Sequence, residues 1–222
     1  EGLINAKRIS EALSFGLETL NTRYFQLCRR LLAVMNGIAR HILRSPTVAT
    51  RFQNNMAKRL PVSLNYATHL PALMRALELS SGRVLELGMG LFSTPYLHYA
   101  CLLAGRPLVS YDNNAEWVEF FYGHYASPDH VIKCVEFDNA DLGGEWGVAL
   151  VDHSPSARRV VDIRRLADGA RYVIAHDSNR EFDGEYRYKS IYPLFKYRQR
   201  LTYDRRQTVV LSNHDDLKGF LK

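Results

Sequence analysis

The stretch that decides the fold is Arg83-Val-Leu-Glu-Leu-Gly-Met-Gly-Leu-Phe-Ser-Thr-Pro95. It begins with a short apolar run, which is typical of a buried strand. Gly88 and Gly90 follow, and glycine lets the backbone turn sharply and approach a ligand closely. Ser93-Thr94-Pro95 then predicts the N-cap and first turn of a helix. A strand, a glycine turn and a helix N-terminus together predict a cradle for part of a nucleotide-like cofactor, with a ligand-free turn as the alternative.

An acidic residue follows the next apolar run. The apolar run Pro107–Tyr111 is followed directly by Asp112. Asp112 lies 22 residues after Gly90, so that a helix and a strand fit between the two positions. A carboxylate at the end of a second strand is placed to accept hydrogen bonds from ribose hydroxyls. Asp112 is therefore the predicted ribose contact. The alternative is a turn residue before Asn113-Asn114.

The composition is that of a folded globule, because 46% of the 222 residues are hydrophobic and 23% are charged. A net charge of +6 suits an anionic ligand, nucleic acid or a membrane surface, and selects none of them. The three cysteines are far apart, which argues against a disulfide framework or zinc cluster and for a reducing, cytoplasmic compartment. No apolar run reaches the roughly 18 residues of a membrane span.

Residues 1–62 predict a helical N-terminal extension. Apolar residues recur at helical spacing between Ile9 and Leu20, and again between Phe25 and Leu43. Basic residues lie among them, and a basic amphipathic helix can lie on an anionic membrane. We favour packing on the main domain or on a second copy of the chain, so a homo-oligomer formed through these helices is one predicted partner arrangement.

Residues 63–222 predict a single α/β domain in which strands alternate with helices. Such alternation implies a parallel sheet covered on both faces, with ligands bound where the strands end. Tyr197–Tyr203 and Thr208–Leu211 predict a closing antiparallel hairpin. Glu181–Tyr188 lacks periodicity and predicts a surface loop that forms a lid or substrate wall. The remaining predicted strands and the polar residues at their ends are Val131–Phe137 with Asp138-Asn139, Gly147–Val151 with Asp152-His153, and Arg171–Ala175 with His176-Asp177-Ser178-Asn179.

Five βα steps, the glycine turn, the acid after the second strand and the closing hairpin together resemble the class I S-adenosylmethionine-dependent methyltransferases, over about Tyr66–Lys222. The resemblance implies a Rossmann-like three-layer sandwich with a seven-stranded, mostly parallel sheet and an antiparallel last strand. It also implies S-adenosylmethionine as the cofactor. The implied contacts are Glu86, Gly88, Gly90 and Ser93 at its methionine part, Asp112 at the ribose, Asp138 or Asn139 at the adenine, and Asn113 and Asp152 as further contacts.

A nearer resemblance is to the metal-dependent small-molecule O-methyltransferases, such as the catechol and macrolide-sugar enzymes. These enzymes hold magnesium with an Asp after strand four and an Asp-Asn pair after strand five. Asp152 and Asp177 match the two carboxylates, whereas Ser178 stands where the family has Asn and Asn179 comes one place later. The resemblance implies a magnesium ion at Asp152, Asp177 and Ser178. The alternative role of the two carboxylates is helix capping at βα turns.

The sequence thus predicts methyl transfer to a hydroxyl of a small molecule, with or without magnesium. No lysine lies near His153 to act as the base of the catechol enzyme, so Asp152, His153 and His176 are the predicted catalytic residues.

Three other classes compete with this interpretation. A nucleic-acid methyltransferase would suit the charge, but the chain has no Asn-Pro-Pro-Tyr-type motif, no catalytic Cys after a Pro and no basic patch interleaved with aromatic residues. A non-catalytic module would keep the fold for binding or assembly. A nicotinamide dehydrogenase is disfavoured because Ser93 stands where its fingerprint has the third glycine.

Overall fold

The computed structural model describes residues 64–203 and 206–221. Thr68–Leu221 forms one compact unit. The predicted N-terminal helices lie outside the described residues, and the domain boundary at residue 62 stays a prediction with them. Within the two described ranges, no helix combines the length and the apolar character that crossing a membrane requires.

A seven-stranded sheet forms the centre of the compact unit, in the order β3-β2-β1-β4-β5-β7-β6. Strands β1 to β5 run parallel, whereas β7 runs antiparallel to both of its neighbours. This arrangement confirms the predicted Rossmann-like sheet with a reversed last strand. The strands are β1 Val84–Leu87, β2 Leu108–Asp112, β3 His130–Cys134, β4 Trp146–Val151, β5 Ala170–Ala175, β6 Tyr197–Tyr203 and β7 Arg206–Ser212.

Helices flank the sheet and bury its central strands. Every residue of β1 and β4 is buried, as expected for strands covered on both faces. Short 3-10 turns connect several elements, including Phe137–Asn139 after β3. The α-helices are α1 Leu70–Leu79, α2 Ser93–Ala104, α3 Ala115–Tyr125, α4 Arg159–Leu166 and the single turn α5 Asp183–Tyr186.

Two local predictions were wrong. The N-cap of α2 is Phe92 and not Ser93, and no side chain caps this helix, because Thr94 in its first turn faces the interior and bonds to Glu86. The segment Glu181–Tyr188 is not an irregular loop, and its role as a lid or substrate wall stays a prediction. It folds into a 3-10 turn and α5, and two of its tyrosines are buried, Tyr186 at 8% exposure and Tyr188 at 2%.

Candidate functional site

The glycine turn after β1 lies directly against the end of β4. Gly88 has a φ of +90°, and a Cβ on it would lie 2.6 Å from the carbonyl carbon of Asp152 and from the backbone of His153. The Asp152 N–H donates to the Leu87 carbonyl at 2.8 Å. Only glycine combines this backbone conformation with such close packing. The backbone of the turn therefore packs directly against the backbone at the end of β4.

Asp112 ties the same turn to the end of β2. Its Oδ2 accepts a hydrogen bond from the Met89 N–H at 2.9 Å, and its Oδ1 accepts one from the Asn114 N–H at 2.9 Å. Burial raises the pKa of Asp112, although these backbone hydrogen bonds oppose the shift. A carboxylate has about four acceptor positions, so it keeps capacity for ribose hydroxyls. Asn113 beside it is half-buried.

Glu86 supports the turn from the interior of the sheet. It is completely buried, and its two oxygens accept hydrogen bonds from Thr94 Oγ1 at 2.9 Å and Ser110 Oγ at 2.6 Å. Thr94 Oγ1 in turn accepts a bond from the Gly90 N–H at 2.9 Å. Burial raises the pKa of Glu86 to about 7, against the effect of the hydroxyl groups. Glu86 and Ser93 are thus both buried in the interior next to the turn. Their contact with a cofactor stays a prediction.

The structure brings together two of the three predicted catalytic residues. His176 Nδ1 lies 3.2 Å from Asp152 Oδ2, and His176 Nε2 lies 2.9 Å from Thr68 Oγ1. Burial alone would lower the pKa of His176, but the Asp152 carboxylate and its hydrogen bond outweigh burial and raise it. Burial would likewise raise the pKa of Asp152, but His176 and Arg159 hold it well below its usual range. These opposite shifts are those of an ion pair.

His153, the third predicted catalytic residue, has different partners. Its Nε2 lies 3.0 Å from Asp162 Oδ2, and its ring stacks on Phe137 with centroids 4.0 Å apart. Burial lowers the pKa of His153, although Asp162 opposes this shift. Asp162 is itself completely buried and also accepts hydrogen bonds from Arg158 and Arg165. His153 is therefore packed between Phe137 and α4, away from the Asp152–His176 pair.

The predicted magnesium ligands do not fit a magnesium ion. Asp177 Oδ1 accepts from Arg206 at 2.7 Å, and its Oδ2 accepts from the Tyr186 hydroxyl at 3.1 Å and lies 3.5 Å from Arg159 Nη1. Arg159 Nη2 also lies 3.0 Å from Asp152 Oδ1. Both carboxylate oxygens of Asp177 are thus already engaged by Arg206, Tyr186 and Arg159, so neither is available to bind magnesium. The Ser178 hydroxyl is buried and finds no hydrogen-bond partner within the described part of the chain.

The two residues that were predicted to contact the adenine, Asp138 and Asn139, lie at the protein surface. Asp138 and Asn139 are exposed in the 3-10 turn after β3. Asp138 forms an ion pair with Arg158, which also forms a bidentate pair with Asp162. The contact of Asp138 and Asn139 with a cofactor stays a prediction.

Sequence reasoning missed Arg159. The pair Arg158-Arg159 has the appearance of a solvated face, yet Arg159 is buried and donates to the His153 carbonyl at 2.7 Å as well as to Asp152. Its guanidinium carbon lies 4.9 Å from the centre of the Tyr186 ring. The only local signal was its place at the start of a helix that follows the Asp152-His153 strand end, within reach of that carboxylate.

Comparisons with solved structures agree with the fold. The chain is similar to a cofactor-bound protein, Rv0187 from MTB, at a TM-score of 0.54 and 14% identity over 81% of this chain and 97% of that one. It is also similar to an O-methyltransferase from Bacillus cereus in complex with SAH, at a TM-score of 0.52 and 12% identity over 79% and 97% of the two chains. The METTL16 methyltransferase domain gives a TM-score of 0.51 and 10% identity over 72% of each chain.

These similarities show a Rossmann-like methyltransferase fold and, at such low identity, the fold alone. No protein-family model matches the sequence, and no curated protein matches it significantly. The acceptor therefore has to be argued from the site.

Proposed function

We propose that this chain transfers a methyl group from S-adenosylmethionine to a hydroxyl of a small molecule. The observation that carries the proposal is a juxtaposition at the ends of four neighbouring strands, β2, β1, β4 and β5. Asp112 is bonded to the glycine turn at Met89, and the same turn packs against Asp152, which is paired with His176. A cofactor cradle and an acid–base pair thus share one edge of the sheet, where ligands bind in such folds. The O-methyltransferase and the METTL16 methyltransferase domain, which have a similar fold, support the same chemistry.

The cofactor fits the residues of the turn. Gly88 and Gly90 have no side chains that would obstruct a close approach, and Asp112 keeps acceptor capacity for the ribose. When bound, S-adenosylmethionine supplies a methyl group on a positively charged sulfur. Asn113 is half-buried, Asp138 and Asn139 are exposed, and the three remain the proposed further contacts.

The Asp152–His176 pair is suited to remove the proton of an acceptor hydroxyl. His176 in its neutral form accepts that proton at Nε2, directly or through the Thr68 hydroxyl at 2.9 Å. Asp152 then stabilises the imidazolium through the contact at Nδ1. Arg159 holds the carboxylate in place from its other oxygen. Because methyl transfer is an in-line displacement, alignment of the acceptor oxygen is most of the enzyme's remaining task.

No step of this proposal uses magnesium, since Asp177 is neutralised by arginines. The small-molecule acceptor, a homo-oligomer through the N-terminal helices and a cytoplasmic location belong to the proposal as well.

The proposal is tested by cofactor binding and by methyl transfer. S-adenosylmethionine at 100 times its dissociation constant should stabilise the protein by about 2.7 kcal/mol in thermal unfolding. Labelled methyl groups should then reach hydroxyl compounds in a panel that also contains RNA and protein acceptors. Absence of cofactor binding would remove the enzyme proposal, and labelling of RNA or protein alone would replace the small-molecule acceptor.

A further inference from the structure

A cluster of two histidines and one aspartate lies at the ends of β4 and β5, and we call it the His–Asp cluster. It consists of His69, Asp152 and His176, and one ligand atom from each residue lies within 4.8 Å of the other two. His69 and His176 are 2% and 1% exposed, whereas Asp152 is partly exposed. The cluster is therefore buried on the histidine side and reachable from the carboxylate side.

His69 is the unexplained member of the cluster. Both of its ring nitrogens are buried, and neither has a hydrogen-bond partner among residues 64–203 and 206–221. Its side chain does not cap α1, although it stands at the N-cap position. Buried polar atoms are nearly always paired in folded proteins, because leaving them unpaired costs free energy. The ring instead stands edge-on to His176, with centroids 5.0 Å apart.

The spacing of the other two members suits a metal ion. His176 Nδ1 and Asp152 Oδ2 are 3.2 Å apart. Two ligands at about 2.0 Å from a tetrahedral ion are separated by about 3.3 Å. The second nitrogen of His176 is hydrogen-bonded to Thr68 Oγ1, and the second oxygen of Asp152 to Arg159. Outer-shell partners of this kind orient the ligands of protein metal sites.

We propose that the His–Asp cluster binds a divalent transition-metal ion of the zinc type. Two imidazoles and one carboxylate suit zinc or cobalt, whereas magnesium prefers oxygen ligands alone. Only Asp152 is shared with the magnesium set that the sequence predicted. Three protein ligands leave a position for water or for an oxygen of the acceptor.

This inference goes beyond the proposed function and does not depend on it. In the metal-bound protein His176 is a ligand, and in the metal-free protein it is available as a base. Metal binding is therefore measured without cofactor or acceptor. Failure to bind metal leaves the methyltransferase proposal untouched, and failure to bind S-adenosylmethionine leaves the metal site untouched.

The experiment titrates Co²⁺ into the full chain after treatment with a chelator. We expect one equivalent to bind with a visible absorption spectrum of nitrogen and oxygen coordination, to be displaced by Zn²⁺ and to persist in excess Mg²⁺. His69→Leu should weaken binding by at least about tenfold, since loss of even an outer-shell partner has that effect. The protein should stay folded, because the imidazole has no hydrogen bond to lose within the described residues and leucine keeps an apolar side chain against the His176 ring. His69→Gln replaces it if the leucine variant does not fold.

His124→Ala is the matched control. His124 lies on α3, where its Nδ1 is 2.6 Å from the Phe120 carbonyl, and it is not part of the His–Asp cluster. This variant should bind Co²⁺ like the parent protein. The proposal is overturned if the parent chain binds no stoichiometric Co²⁺ or Zn²⁺, or if a folded His69 variant binds as tightly as the parent.

Discussion

The Met89 N–H donates a hydrogen bond to Asp112 Oδ2 at 2.9 Å, which joins the turn after β1 to the end of β2. The two residues are 23 positions apart, and their contact brings the glycine turn and the acidic strand end to one edge of the sheet. A cofactor placed on this edge would meet the turn and the carboxylate together. The proposed function depends on this contact more than on any other.

Replacement of Asp112 by alanine should weaken S-adenosylmethionine binding by about 10- to 100-fold. A hydrogen bond to a charged group contributes about 1.5–3 kcal/mol, and about 1.4 kcal/mol corresponds to a factor of ten. Calorimetric titration measures the affinity. Asp129→Ala, at an exposed aspartate, should bind normally. Equal affinities in the two variants would remove Asp112 from the cofactor site.

Gly88→Ala should destabilise the protein by about 2–5 kcal/mol, because a left-handed backbone and a tight contact add their costs. The new Cβ would lie 2.6 Å from the backbone at Asp152 and His153. Gly105→Ala is the control, since Gly105 also has a positive φ of +61° but open space around it. The Gly105→Ala variant should lose about 1–2 kcal/mol of folding stability. Urea unfolding measures the loss of stability in the two variants. Equal losses would contradict the close packing of the turn on β4.

The rate of methyl transfer should rise with pH through an inflection above 6.5, the ordinary pKa of histidine. The base must be neutral, and the Asp152 carboxylate keeps His176 protonated to higher pH by raising its pKa. Asp152→Asn removes that charge, so its inflection should move to lower pH while the maximal rate falls. Asp129→Asn should leave the profile unchanged. A profile that is identical in Asp152→Asn would exclude the pair as the base.

Glu86 should make the protein less stable as pH rises from about 4.5 to about 7. Burial raises the pKa of Glu86 from 4.5 to about 7, so the folded state binds more protons than the unfolded state in this window and loses stability as they leave. The loss should total about 3 kcal/mol, at about 1.4 kcal/mol per pKa unit.

Glu86→Gln should abolish this pH dependence and be the more stable protein at pH 8. Burial lowers the pKa of His130, which bonds to Ser110 beside Glu86, to about 4, and that of His69 to about 3, so both histidines raise stability as pH rises through this window. The contribution of Glu86 is therefore the difference between the parent protein and Glu86→Gln. Denaturant unfolding at several pH values measures the difference. A difference in unfolding free energy between the parent and Glu86→Gln that stays constant from pH 4.5 to 7 would contradict the buried, protonated state of Glu86.

Much of the sheet could be predicted because its signals are local. Every strand was predicted within a few residues of its observed bounds. The position of Asp112 beside the turn also followed, since parallel strands end at one edge. Errors arose where a polar side chain had a choice of partner. Thr94 bonds to Glu86 in the core, so the expected hydroxyl cap of α2 is absent.

By itself, the sequence determined the order of strands and helices, the glycine turn and the acid at the end of β2, because these depend on backbone preferences and on the alternation of buried positions. Only the tertiary structure decided which charged side chains form pairs. Asp152 and His153 are adjacent, yet one pairs with His176 and the other with Asp162. Asp177 is neutralised by Arg206, 29 residues later in the chain. Such pairings require the completed packing, because electrostatic partners are selected by distance in space and not by spacing along the chain.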